Sequence, residues 1–77
     1  MIQVGAFGVM QNADDLVQFL KKKTVKANVV KRSIGGVELY CVWIPGKDNY
    51  DATEDIARDI KRKYQLSYRI IIPQARR

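Results

Sequence analysis

Apolar and polar positions alternate along the opening residues. Ile2, Val4 and Ala6 share one side of the alternation, and Gln3 and Gly5 the other, the period-2 pattern of a strand with one buried face over Ile2–Phe7. The period then changes. Ala13, Leu16, Val17 and Leu20 recur at i, i+3, i+4 and i+7, a single apolar stripe down a helix. Asn12 is suited to cap that helix, Asp14 and Asp15 to occupy its first turn, and Lys21, Lys22 and Lys23 to close it where cations complement the helix dipole. Alternation resumes over residues 25–32, with Val25, Ala27 and Val29 on one face and Lys26, Asn28, Val30 and Arg32 on the other. Ser33-Ile34-Gly35-Gly36 predicts a turn, because paired glycines supply the positive φ of tight hairpins.

A third strand is predicted over residues 37–44, stopped by Pro45-Gly46 and followed by a loop through Tyr50. Asp51 is placed to cap a second helix, with Glu54 three residues on as in a capping box. Thr53, Ile56, Ala57, Ile60 and Tyr64 form its inner stripe, and Glu54–Arg58 and Asp59–Lys63 its outer i,i+4 pairs. A last strand is expected over residues 67–72, ended by Pro73, and residues 74–77 are expected to be a flexible tail.

The order is βαββαβ, and it contains a repeat: Val4 and Ile44, Leu16 and Ile56, Leu20 and Ile60 each stand 40 residues apart. Two such units predict an α+β, ferredoxin-like sandwich over residues 1–73, with a four-stranded antiparallel sheet and both helices on one face. Right-handed crossovers then place the first and third strands in the centre. At 77 residues the chain is one domain; a chain of this size buries only about 60 % of its unfolded surface, which leaves no room for a deep cavity beside the core.

The helices pack on the more apolar side of each strand. That turns Ile2, Val4, Tyr40, Val42, Ile44, Tyr68, Ile70 and Ile72 inward. It leaves Gln3, Gly5, Val30, Arg32, Leu39, Cys41, Trp43, Arg69 and Ile71 on the open face. Arg69 is outward because a buried, unpaired guanidinium is costly. Monomers rarely leave an apolar patch with a lone tryptophan unused; a segment outside this chain covering it is the plainer alternative.

Composition removes several chemistries. There is no His, and Cys41 is the only cysteine, so no Ser-His-Asp or Cys-His arrangement, no internal disulfide and no cofactor or metal site is expected. All the carboxylates but Glu38 fall near or within the helices, spaced for caps and surface pairs rather than for acid–base work. Gly5-Ala6-Phe7-Gly8 is half of a phosphate loop without its Lys-Ser or Lys-Thr, and reads better as a tight strand-to-helix turn. No catalytic residue emerges, and a binding module is the expected class.

Gln3-Val4-Gly5-Ala6-Phe7, followed by Asn12-Ala13, Leu16 and Leu20, resembles the opening of the SPOR (sporulation-related repeat) domain, whose first strand ends Q-V-G-[AS]-F. Gly36 and then Leu39-Tyr40-Cys41-Val42-Trp43-Ile44 are similar to that family's strand of the kind Y-R-V-R-V-G. Cys41 stands where the family usually has Arg, and Pro45-Gly46-Lys47 replaces G-P-[FV]. The resemblance implies a bacterial envelope module, periplasmic, that binds peptidoglycan glycan strands stripped of their stem peptides, as at division septa. It further implies a site on the open sheet face at Gln3, Leu39 and Cys41. The residues themselves add Gly5, Trp43, Arg69 and Ile71 to that face. A neutral sugar chain calls for an aromatic platform, amide hydrogen bonds and little charge, which Trp43, Gln3 and Arg69 supply. No nucleic acid is expected, and contact with a membrane only through an anchor in a parent protein.

Two rivals share the architecture. One is RNA binding: fourteen basic residues against eight acidic give a net charge of +6, and RNA-recognition modules stack bases on aromatics of the two central strands. Here the first strand offers only Phe7, and Lys21–Lys23 and Lys61–Lys63 gather at helix ends on a rim. The other is a protein-interaction domain using the same sheet.

Overall fold

The computed structural model describes residues 1–71. Ile72 and Pro73, at the end of the last predicted strand, and the tail expected at 74–77 lie outside the described residues. The elements are β1 (Ile2–Phe7), α1 (Met10–Lys22), β2 (Asn28–Ile34), β3 (Val37–Ile44), α2 (Tyr50–Tyr64) and β4 (Arg69–Ile70). They build one antiparallel sheet in the order β2-β3-β1-β4, the predicted ferredoxin-like α+β arrangement with β1 and β3 central. Ile2, Val4, Val42 and Ile44 from the central strands join Ala13 and Leu20 of α1 and Ala57 and Ile60 of α2 in one buried cluster. Both helices therefore cover the same face, on the apolar stripes predicted for them.

Both helices begin earlier than their predicted caps. The chain leaves β1 and turns within Gly8 and Val9, and the Val9 carbonyl accepts the Asn12 N–H at 3.1 Å. The first turn of α1 is thus closed before Asn12 can cap it; Val9 is the N-cap, with no side-chain cap, and Asp14 and Asp15 fall beyond the first turn. At α2 the cap is Asn49 rather than Asp51: its side-chain oxygen accepts the Ala52 N–H at 2.8 Å. Asp51 lies in the first turn instead, where its charge still favours the helix dipole. Glu54 is left free to pair with Arg58 at 2.9 Å, and Asp59 with Lys63 at 3.1 Å and with Arg62. Hydrogen bonding to Lys63 holds the Asp59 carboxyl below its ordinary pKa.

The second strand also shifts. Thr24 takes a left-handed φ of 60° and the Val25 N–H donates to the Leu20 carbonyl at 2.9 Å, so the chain stays tied to α1 and pairing begins only at Asn28. At the far end Gly35 and Gly36 alone make the turn, with φ of 59° and 81°. Two consecutive positive-φ residues are what the favoured two-residue hairpin requires. Ser33 and Ile34, expected in the turn, instead pair with Glu38 and Val37.

β1 carries an irregularity that alternation does not show. Gln3 pairs with Trp43 and Gly5 with Val42, so Val4 is an extra residue, a β-bulge. Val4 and Gly5 both face the helices. Pairing of β1 with β4 covers only Ile2 and Gln3, stopping at the residue before the bulge, which is why β4 begins at Arg69 rather than at the predicted residue 67. Beyond it the Ile71 N–H donates to the Met1 carbonyl at 2.7 Å, and the Met1 ammonium to the Ile71 carbonyl at 3.0 Å.

The loop from β3 to α2 is fastened by Thr53, a buried polar side chain. Its hydroxyl accepts the Lys47 N–H at 2.9 Å and donates to the Asn49 carbonyl at 2.9 Å. Gly46 crosses so close that a Cβ there would lie 2.7 Å from Thr53 Cγ2.

Candidate functional site

Register arranges the face away from the helices in rows. One row runs Asn28, Trp43, Gln3, Arg69; the next Val30, Cys41, Ala6; then Arg32 with Leu39; and Ile34 with Val37 at the hairpin tip. None of these side chains belongs to the helix-side cluster. Gln3, Leu39, Trp43 and Arg69 therefore share the open face, as predicted. Ile71 lies just past β4, half-buried, at the Met1 end of the same edge.

Trp43 and Gln3 are joined. The indole Nε1 donates to Gln3 Oε1 at 2.9 Å across the β1–β3 pair. Because an indole N–H can only donate, the Gln3 carbonyl must face it, and the Gln3 NH₂ is left as a donor pointing into the face. On the other flank the Arg32 guanidinium lies 5.7 Å from the centre of the Trp43 ring, within cation–π reach. The centre of the face is thus an indole held in its plane by an amide on one side and covered by a guanidinium on the other.

Two of the predicted site residues stand differently. Gly5 was expected to face outward; the bulge at Val4 turns it inward, where a Cβ would meet the Phe7 ring at 2.7 Å and Leu16 Cδ2 at 3.1 Å. Gly5 makes room for Phe7 to pack on the core rather than lining the open face. Cys41 faces outward as predicted, yet its place on the open face does not expose it: the residue is only 1 % exposed. It occupies a central strand, with Val30 and Ala6 beside it and Leu39 and Trp43 two residues along its own strand. A side chain that small is closed over by four larger or nearer neighbours, so it is the floor of the patch.

Phe7, the single aromatic β1 could have offered to a stacked base, packs against the helix-side core. Lys23 and Lys63 line one groove of about 340 Å³ with Val25, Ile44, Ile56 and Tyr64, so the helix-end cations share a rim behind the sheet. A wide concavity of about 800 Å³ flanks α2, but Asp55 and Asp59 offset Arg58, Lys61 and Arg62 there. Among the described residues no group of His, Cys, Asp or Glu could hold a metal ion, and no helix is long and apolar enough to cross a membrane.

Alternation placed Arg32 outward but could not show its lean along the face onto Trp43. Ala6, Ile34 and Val37 were missed as members of the face, while Asn28 falls on it as its alternation with Val30 and Arg32 predicts. For Ala6 the signal was available: a glycine inside a strand pattern marks a bulge or a close approach, and a bulge at Gly5 moves Ala6 outward.

The model of the family described as SPOR domain matches residues 1–71. No match to the chain was found among the curated proteins or among the solved structures.

Proposed function

Since the chain belongs to the SPOR domain family of peptidoglycan-binding modules, which occur in bacterial cell-envelope proteins, we propose that it is a non-catalytic module for peptidoglycan glycan strands lacking stem peptides. It binds them on the open sheet face and so carries a parent protein to the division septum, on the periplasmic side of the envelope. Trp43 is the platform for a sugar ring, the free Gln3 NH₂ and Arg69 are donors to its oxygens, Leu39 extends the apolar contact on the Cys41 side of the indole, and Ile71 extends it at the opposite, Met1 end of the face.

The observation that carries this reading is the Trp43–Gln3 hydrogen bond at 2.9 Å. It fixes an otherwise mobile indole as a rigid plate with a hydrogen-bond donor beside it, the pairing of apolar face and polar edge that a pyranose presents in complement. A plate fixed before binding loses less rotamer freedom on binding.

The test is a pull-down of the domain on intact sacculi, on amidase-treated sacculi and on single-stranded RNA. Retention on amidase-treated sacculi well above intact ones is expected. Equal retention on both sacculi, or retention on RNA alone, refutes the reading.

A further inference from the structure

The open face is charged in one sense only. Its outward positions on all four strands include Arg32 and Arg69 and no Asp or Glu. The carboxylates lie elsewhere: Glu38 pairs with Lys31 at 3.4 Å on the helix side of the hairpin, and Glu54 and Asp59 pair within α2. Among the described residues neither Arg32 nor Arg69 has an acidic partner. Both are exposed. They sit on the two edge strands, three inter-strand steps across the sheet and four residues along it, so their backbones stand roughly 20 Å apart, with the Gln3–Trp43 pair between them. This is unlike Lys23 and Lys63, which line one groove with Asp59.

A face for a wholly neutral sugar has no use for two unpaired guanidiniums flanking its aromatic plate. The glycan proposed above is not neutral. In peptidoglycan the stem peptide is joined by an amide to the lactyl carboxyl group of every second sugar. Hydrolysis of that amide leaves a free carboxylate at each such position. Guanidinium is the side chain best shaped for a carboxylate, which it can hold through two parallel N–H···O bonds.

We propose, resting on the glycan reading, that Arg32 and Arg69 read these uncovered lactyl carboxylates. Recognition of a peptide-free strand is then positive detection of the charge that peptide removal creates, beyond mere relief of crowding. Arg32 has a further part. Without ligand its guanidinium covers the indole at 5.7 Å; a sugar stacking on Trp43 displaces it, and the displaced group is already beside the carboxylate carried by that sugar or its neighbour.

The test follows the emission of Trp43, the only tryptophan. Titration uses amidase-denuded glycan strands and the same strands after conversion of their carboxyl groups to methylamides, which removes the charge without restoring a peptide. The methylamide strands are expected to bind roughly tenfold more weakly. Arg32→Gln and Arg69→Gln are each expected to lose roughly threefold to fivefold on the acid strands, toward the upper end for an exposed ion pair, and markedly less on the methylamide strands. Equal affinity for the two forms overturns the carboxylate reading and leaves glycan binding intact. Failure of both forms to bind overturns the glycan reading itself. The comparison of strands needs no variant, so it stands even if a substitution disturbs the sheet.

Discussion

Replacing Gln3 by Leu removes the acceptor of the Trp43 indole N–H while keeping a side chain of similar bulk on the open face. The bond is 2.9 Å long and only part-buried. A neutral hydrogen bond contributes about 0.5–1.5 kcal/mol net, and solvent that can reach the freed N–H puts this one in the lower half, at about 0.5–1 kcal/mol. Trp43→Phe removes the donor but also part of the ring, so its total cost mixes packing with the bond. A double-mutant cycle separates the two. The four proteins are unfolded in urea and followed by far-UV circular dichroism, since the fluorophore is lost in two of them. The coupling is expected at about 0.5–1 kcal/mol, with an unchanged dependence on urea. If Gln3→Leu costs as much in the Trp43→Phe background as in the parent sequence, the bond does not hold the indole, and the rigid-plate argument for the site fails with it.

Trp43→Ala should weaken binding of denuded glycan strands by about 2 kcal/mol or more, as loss of a central aromatic usually does, which isothermal calorimetry would measure; a smaller loss moves the site elsewhere. The Cys41 thiol, 1 % exposed, should stay unreactive toward an aromatic disulfide reagent until the protein unfolds, and fast native reaction would show that the face opens. Gly5→Ala places a Cβ 2.7 Å from the Phe7 ring and should destabilise by about 1–3 kcal/mol in a thermal melt, whereas Gly8→Ala, with nothing within 4 Å, should change little. Thr24, a β-branched residue at φ 60°, should be replaceable by Gly with a gain of about 0.5–1 kcal/mol, because only glycine takes that backbone without steric cost; a lower melting temperature contradicts this.

Element order, strand order and the helical stripes were readable because they rest on periods repeated over many residues. Leu20 and Ile60 could hardly be buried anywhere but under the sheet. Boundaries were less readable, because several residues can cap equally well and geometry chooses among them: Asn49 wins over Asp51 because Thr53 already ties its carbonyl to the helix. Gln3, Leu39 and Trp43 were placed on the open face by parity alone. Parity failed at Gly5, where one extra residue in β1 breaks the count. It said nothing of Cys41's exposure, which depends on the size of neighbours on two other strands. Nor could it find the contact between Arg32 and Trp43, since a long flexible side chain reaches well beyond its own row.

The extra residue at Val4 also bears on how such a strand can change over generations. Inserting or deleting one residue within a regular strand exchanges its two faces from that point on. In β1 the count is already offset by one, since Val4 and Gly5 together oppose Val42. Loss of a residue here would restore regular alternation while Gln3 before it and Ala6 and Phe7 after it kept their present sides. The loss would be confined to the packing of one valine, about 1.5–3 kcal/mol. The middle of this central strand is therefore a point where loss of a single codon can be survived without inverting the open face of the sheet.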